Sequence, residues 1–191
     1  MAGLEEAFSQ RTIRRPLTVS TFVSVGNAKQ PFPRLINAVV HQSAKLPQPV
    51  FIQYGSARPQ LGACQGASFL QMEEFEQRVQ AATLLILHAG AGCILHAVRA
   101  GATPVVVVRR ADLGEHIDDH QREFANEMGS LGKIIVCSNV HDLTRAASAA
   151  MRLQETASIT SHSPRLIDII RDRLSQSVHA DRRLAKSPPQ P

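Results

Sequence analysis

The sequence predicts a doubly wound α/β fold, in which helices cover both faces of a mostly parallel sheet. Apolar runs of strand length, at residues 84–88 and 104–108, alternate with segments whose apolar residues recur at helical spacing. Runs that are apolar at nearly every position are typical of strands buried on both faces. With 191 residues, of which 43% are hydrophobic, the chain has the size and composition of one globular domain.

The first third of the chain predicts a βαβ unit. β-branched and aromatic residues over 18–25 favour a strand, and Gly26 ends it. Apolar residues at helical spacing follow between residues 35 and 40, before two prolines that break the pattern. A second strand is predicted over residues 50–54.

The following segments continue the alternation. Residues 56–68 have the composition of a loop, and a short strand is expected at Phe69 and Leu70. The later elements are predicted as a helix at 73–82, a strand at 84–88, a helix ending at Ala100, a strand at 104–108, a polar helix at 116–131, a strand at 134–137 and a helix from about Val140 to Leu153, capped by Asn139 or Ser138.

Composition divides the chain into four parts. Residues 1–16 are predicted to form a flexible N-terminal arm, and residues 17–155 the Rossmann-like domain. A polar, Ser/Thr-rich segment over 154–163 leads to an amphipathic C-terminal helix at 164–178. Residues 179–191 are predicted to be disordered.

Charge and cysteine content exclude several classes of protein. Residues 16–164 carry 12 basic and 11 acidic side chains, with one Tyr and no Trp in the whole chain, which argues against a nucleic-acid-binding surface. Cys64, Cys93 and Cys137 are an odd number without close spacing, so we expect a reduced, intracellular protein without disulfides or a zinc motif. No apolar stretch is long enough to cross a bilayer, and the N-terminus is too charged for a signal peptide, so a soluble chain is expected.

The strand at 84–88 runs into a loop of glycine and alanine residues. Ala89, Gly90, Ala91 and Gly92 separate this strand from the following helix. The first turn of such a helix presents unpaired backbone N–H groups and the positive end of the dipole, which together attract an anion such as a phosphate. A tight strand-to-helix turn also requires small residues for its own geometry. Anion binding and a purely structural role both remain open from this segment.

A second polar cluster follows the strand at 104–108. Ligands of parallel sheets bind outside the carboxyl ends of the strands, so this cluster and the Gly90 loop are expected to face one crevice. Alternatively, the cluster is the solvated start of a helix whose aspartates favour the dipole. Its candidate residues are Glu115, His116, Asp119, His120 and Gln121.

Metal binding and cysteine catalysis are weaker interpretations of these residues. His116 and His120 have the spacing of two metal ligands on a helix, but no third ligand is identifiable and the HExxH order is absent. We therefore predict no metal site. Cys93, placed on the loop, is better explained as a small packed residue than as a nucleophile.

The paired motifs resemble a known family. The segments 88–92, 101–108 and 114–121 are similar to the C-terminal, donor-binding domain of family 28 glycosyltransferases. The similarity covers roughly residues 18–155 and is strongest to the free-standing soluble subunits of two-part bacterial exopolysaccharide glycosyltransferases and of the eukaryotic dolichol-linked N-acetylglucosaminyltransferase. Cys93 stands where the family usually has Ser.

The resemblance implies the donor-binding half of a GT-B fold and a glycosyltransferase that uses a UDP-sugar. In that family the glycine-rich loop would hold the diphosphate, and Glu115 would accept hydrogen bonds from sugar or ribose hydroxyls. The UDP-sugar is a substrate, so neither a cofactor nor a metal is implied. The implied substrate-binding residues are Gly26, His88, Ala89, Gly90, Ala91, Gly92, Glu115, His116, Asp119, His120 and Gln121.

The resemblance also implies a partner. The acceptor half is expected in a membrane-associated second subunit that binds a lipid-linked acceptor, which would place this chain in the cytoplasm at the inner face of the membrane. No catalytic base is assigned to this chain. A non-catalytic nucleotide-binding or partner-stabilising subunit remains the alternative; a nucleotide-sugar epimerase would need a second domain, for which the length leaves no room.

Overall fold

A computed structural model of the protein describes residues 20–116 and 120–157 and confirms the predicted α/β fold. The strands are β1 (Thr21–Ser24), β2 (Val50–Gln53), β3 (Gln65–Ala67), β4 (Leu84–His88), β5 (Val105–Val107) and β6 (Ile135–Val136). The helices are α1 (Pro33–Gln42), α2 (Met72–Ala81), α3 (Ala91–Arg99), α4 (His120–Ser130) and α5 (Leu143–Ala157). The predicted N-terminal arm, C-terminal helix and tail lie outside the described residues.

The six strands form one parallel sheet in the order β3-β2-β1-β4-β5-β6. β1 and β4 are neighbours at its centre, with Thr21 opposite Leu84 and Ser24 opposite Leu87. The strand order reverses at this pair, because β2 and β3 extend to one side and β5 and β6 to the other. Such a reversal opens a crevice outside the carboxyl ends of the two central strands.

Helices cover the two faces of the sheet and bury its alternating side chains. α1 and α5 pack on the face that carries Val23 and Ile86, whereas α2, α3 and α4 pack on the face that carries Leu85 and Val106. Burying each of these apolar side chains is worth about 1.5–3 kcal/mol. All five residues of β4 are buried, which explains its uninterrupted apolar sequence. Among the described residues, every helix is too short or too polar to span a bilayer.

The predicted strand at Phe69 and Leu70 is wrong. The third strand lies earlier, at Gln65–Ala67, and pairs only with β2 at the edge of the sheet. Its residues are exposed or half-buried, so no apolar alternation marks it, whereas Phe69 is 52% exposed. A Cβ on Gly66 would clash with the carbonyl oxygen of Ile52, so the glycine permits the approach to β2.

Two helices differ from their predicted bounds. α4 is described from His120 to Ser130, and residue 116, at which the helix was predicted to begin, is not helical and follows a 3₁₀ turn at Ala111–Leu113 and the left-handed Gly114. α5 begins at Leu143, after a 3₁₀ turn, and continues to Ala157, into the segment predicted to be a polar linker.

The side chain of Gln154, near the end of the described part of α5, contacts two other chain segments. Its amide accepts a hydrogen bond from the Thr103 backbone at 3.3 Å and donates one to the Thr83 carbonyl at 3.4 Å. These contacts tie the last turns of α5 to the chain segments that enter β4 and β5. The predicted cap at Asn139 is confirmed for the preceding 3₁₀ turn, since its side chain accepts a bond from the His141 amide.

Candidate functional site

The ring of His88 lies between Gly26 and Gly90 at the carboxyl ends of β1 and β4. A Cβ atom added to Gly26 would clash with Cε1 of His88, and one added to Gly90 would clash with Nε2. Gly26 also has a φ of +75°, a left-handed conformation that favours glycine. The two glycines therefore leave the space that the imidazole fills, and three of the predicted site residues are in contact.

His88 is buried and uncharged at neutral pH. Its Nδ1 lies 3.4 Å from the carbonyl oxygen of Ser24, and because a carbonyl only accepts, we assign the proton to Nδ1. Burial, reinforced by the charge of Arg109, lowers the pKa of His88 to about 4. Nε2, on the side of Gly90, therefore carries a lone pair and not a proton.

The first turn of α3 has no side-chain cap. Gly90 is the N-cap residue in an extended conformation, and its carbonyl accepts the first helical bond, from Ile94, at 3.1 Å. A Cβ atom added to Gly92 would meet no other atom within 4 Å. The first turn therefore has backbone amides without a side-chain cap and the positive end of the helix dipole, a combination suited to a phosphate group.

Cys93 is the third residue of α3 and does not lie on the loop as predicted. Its half-buried side chain packs against the apolar cluster that α2 and α3 form with the sheet. Burial raises the pKa of the thiol to about 11, and a hydrogen bond with Ser24 opposes that shift only in part. These properties favour the packed-residue interpretation over a nucleophile.

Glu115 is buried and its carboxylate is engaged within the protein. Oε1 accepts a bond from Nε of Arg34 at 2.9 Å, and Oε2 accepts one from Nη2 of Arg34 at 2.7 Å and one from the Arg110 amide at 2.9 Å. This bidentate pair joins α1 to the loop that follows β5. Contact of Glu115 with sugar or ribose hydroxyls therefore stays a prediction, and any such contact would share oxygens already bonded to Arg34.

Arg109, which directly follows the predicted strand at 104–108, is a buried residue of this edge that the sequence analysis did not single out. It is 1% exposed, and its guanidinium donates to the carbonyls of Val25 at 2.7 Å, Gln30 at 2.9 Å and Glu115 at 2.8 Å. It also lies 4.7 Å from the centre of the Phe32 ring. One guanidinium thus connects the loop after β1 to the loop after β5. The available signal was a charged residue directly after a buried strand.

A polar network beside Gly26 was also missed. The Gly26 amide donates to Oγ of Ser24 at 3.2 Å, the Ser24 hydroxyl donates to Oε1 of Gln53 at 2.6 Å, and Nε2 of Gln53 donates to Oδ1 of Asn27 at 2.9 Å. Gln53 is 3% exposed, which makes these bonds necessary for its burial. A glutamine at the end of an apolar strand was the signal for this network.

The remaining predicted residues lie around the start of α4. Nε2 of Gln121 is 3.2 Å from Nε2 of His116, so these two side chains are brought together. Asp119 lies outside the described residues, and His120 is described only by its backbone, as the first residue of α4. Within 20–116 and 120–157, no three His, Cys, Asp or Glu side chains converge as metal ligands.

A separate groove of about 640 Å³ lies between α1 and the loop after β2. Pro33, Ile36 and Val40 line it on one side, and Arg58 and Pro59 on the other. None of the predicted site residues lines this groove. The site at the strand ends is instead defined by the Gly26, Gly90 and Glu115 loops.

Solved structures with a similar fold include two that are described as glycosyltransferases. The glycotransferase of kitacinnamycin is 17% identical with a TM-score of 0.57, and the match covers 83% of this chain and 41% of that one. CalG4, the calicheamicin glycosyltransferase, is 18% identical with a TM-score of 0.56, over 86% of this chain and 45% of CalG4. The solution structure of ALG13 is 20% identical with a TM-score of 0.50, over 80% of this chain and 94% of ALG13. This chain therefore spans less than half of the first two proteins.

Sequence comparison identifies the family. No curated protein gives a significant match to the whole sequence. Residues 21–166, however, match the family described as glycosyltransferase family 28 C-terminal domain, a range that includes all six strands and every predicted site residue. The chain therefore belongs to the glycosyltransferase family 28 C-terminal domain family.

Proposed function

We propose that this chain binds the UDP-sugar donor of a glycosyltransferase whose acceptor half is a second, membrane-associated chain. Membership of the family supports sugar transfer in general terms. The observation that carries the proposal is the uncapped first turn of α3, which opens beside Gly90 and His88 at the centre of the sheet. Backbone amides there would bond the donor diphosphate without a metal ion.

The proposed reaction transfers the sugar to a lipid-linked acceptor. The bond between the sugar anomeric carbon and the diphosphate oxygen breaks, its electron pair stays on UDP, and an acceptor hydroxyl forms the new bond and loses its proton. Fixed amides of α3 would stabilise the charge that develops on UDP. The partner would supply the acceptor site and the base that takes the proton.

The proposal of a partner is supported by the resemblance to free-standing family 28 subunits and by the comparison with solved structures. The two larger glycosyltransferases match it over less than half of their lengths, whereas the match to ALG13 spans nearly all of that structure. The described residues form one sheet, which would supply one side of a cleft. We accordingly propose that the assembled enzyme acts at the cytoplasmic face of a membrane, through the partner.

Nucleotide binding and transfer test the proposal separately. Calorimetry of the chain alone should detect weak binding of UDP, and co-expression with a glycosyltransferase-like partner should give hydrolysis or transfer with one member of a panel of UDP-sugars. Gln121→Ala should lower transfer by the complex, with Gln77→Ala on the exposed side of α2 as the control. Binding without transfer by any complex would favour a non-catalytic subunit, and absence of UDP binding would contradict the proposal.

A further inference from the structure

Arg109 occupies an unusual position for a cation, buried beneath the loops of the candidate site. Its exposed fraction is 1%, and its three hydrogen bonds go to neutral carbonyl groups. Nε is buried without a partner. Burying a guanidinium in this way costs free energy of hydration, which must be offset by hydrogen bonds or by an interaction with negative charge.

Among the described residues, Arg109 shares the negative charge of Glu115 with Arg34. Glu115 is the acidic side chain in this cluster of described residues, and both of its oxygens are bonded to Arg34. Two guanidinium groups and one carboxylate therefore leave one net positive charge. The neighbouring cation, Arg110, differs because it is exposed and paired with Asp112 at 2.5 Å.

The field of Arg109 reaches the Gly90 loop. Nη2 of Arg109 bonds the carbonyl of Val25, the residue before Gly26, and Gly26 touches the His88 ring. The guanidinium charge contributes to the lowered pKa of His88, whose Nε2 faces Gly90. A positive potential that disfavours a proton on His88 also favours an anion at the adjacent first turn of α3.

We propose that Arg109 is an electrostatic positioning residue for the donor diphosphate, which it stabilises through space while fixing the two loops that flank it. This inference rests on the proposed function. Arg109 would then discriminate a nucleoside diphosphate from the uncharged nucleoside without touching either. Its positive charge would add to the dipole of α3, and its bonds to Val25 and Gln30 would keep Gly26 in place.

The test compares UDP with uridine on folded variants of the full chain. Arg109→Gln removes the charge and keeps an amide donor, whereas Arg109→Lys keeps the charge and loses the planar guanidinium with its several donors. Arg110→Met removes a neighbouring exposed charge and is the matched control. Dissociation constants for UDP and for uridine are measured by calorimetry or NMR titration. The ratio of the two constants isolates the contribution of the diphosphate.

We expect Arg109→Gln to weaken UDP binding by about tenfold or more while changing uridine binding by less than about threefold. Arg109→Lys and Arg110→Met should keep a ratio near that of the wild type. Equal losses for both ligands in Arg109→Gln, or no loss for either, would overturn the proposal. A large change in the ratio of the UDP and uridine dissociation constants in Arg109→Lys would also overturn the proposal. This measurement decides the outcome if Arg109→Gln does not fold. If the wild type binds neither ligand, the proposed function fails before this inference is reached.

Discussion

The shape of the candidate site depends on one contact, in which the ring of His88 lies against Gly26 and Gly90. The histidine extends from the end of β4 toward both glycines, and its ring occupies the volume that a Cβ at either glycine would need. Glycine at positions 26 and 90 makes room for the His88 ring, and the same small residues would also make room for a ligand. The proposed phosphate approach and the structural explanation of the glycines are therefore compatible.

Gly90 and Gly92 offer a matched pair for a test. Gly90→Ala should destabilise the protein by about 1–3 kcal/mol, because the added methyl group forces the buried His88 ring to move. Gly92→Ala should leave stability unchanged or raise it by up to about 1 kcal/mol, since its Cβ meets open space in a helix. Urea unfolding measures both changes. A stable Gly92→Ala that binds UDP as tightly as the wild type would show that the ligand does not approach this turn.

The lowered pKa of His88 predicts an acid-dependent loss of stability. Between pH 6.5 and about 4 the unfolded chain binds a proton that the folded protein excludes, so the free energy of unfolding falls as the pH falls. The contribution is fully present above pH 6.5, and its loss amounts to about 3 kcal/mol at most. The His88→Asn variant should therefore lose less stability than the wild type between pH 7.5 and 4.5. His41→Asn, at an exposed position on α1, controls for removal of a histidine; equal losses in all three proteins would refute the assignment.

Sequence reasoning at the residue scale singled out Gly90, His88 and Glu115 as candidates but did not predict what they touch. A glycine between a strand and a helix is visible in the sequence, whereas the ring that fills its space depends on a side-chain conformation. Arg109 was not predicted to be buried because its partners are carbonyls of Val25 and Gln30, about 80 positions earlier in the chain. No local pattern specifies such partners.

Secondary-structure elements were predictable where burial imposed a pattern on them. β4 and β5 are buried throughout, and their apolar runs place them correctly. β3 is held at the sheet edge by hydrogen bonds to β2 and by the close approach at Gly66, neither of which leaves an apolar signature. α5 continues to Ala157 through Gln154, whose contacts lie 51 and 71 positions away and leave no local pattern in the sequence.

The bond between α1 and the loop after β5 should dominate the effect of changing Glu115. Glu115→Ala removes a buried carboxylate from Arg34 and the Arg110 amide, and we expect the free energy of unfolding to fall by about 2–4 kcal/mol. Arg34→Met and the double variant complete a cycle that yields the coupling between the two side chains. Asp112→Ala, in an exposed pair beside this loop, should change the urea midpoint little.

The outcome also separates stability from binding. If Glu115→Ala folds with wild-type stability, the described pair does not contribute as the geometry requires. If it is destabilised but retains donor affinity, Glu115 acts on the loop and not on ligand hydroxyls. Measuring UDP affinity at a temperature well below the transition keeps the two effects distinct.

At the scale of the molecule, five helices already cover both faces of the sheet within the described residues. α5 closes the face that α1 shares, and Leu143, Ala147 and Ala150 are buried there. The predicted helix at 164–178 is therefore not needed to complete this core. We therefore expect the apolar face of the predicted helix at 164–178 to pack against a partner.

A chain cut after Ser163 tests this assignment. We expect the shortened protein to unfold cooperatively and to bind UDP like the full chain, because the helices up to Ala157 bury the sheet. If the proposed partner subunit docks on this helix, the shortened protein should no longer co-purify with it. Aggregation or loss of the cooperative transition would instead place the C-terminal helix in the core. Retention of the partner would contradict its role in docking.

The contact of Gly26, His88 and Gly90 also limits how this site can be redesigned. A side chain introduced at either glycine meets the same ring, so a library that varies one loop at a time would return mostly damaged proteins. Replacing His88 with alanine removes the obstacle for both glycines and also removes the bond to Ser24. Variants with new side chains facing the α3 turn should therefore be recovered only when position 88 is varied in the same library. A change in ligand specificity at this edge of the sheet would therefore require several substitutions made together.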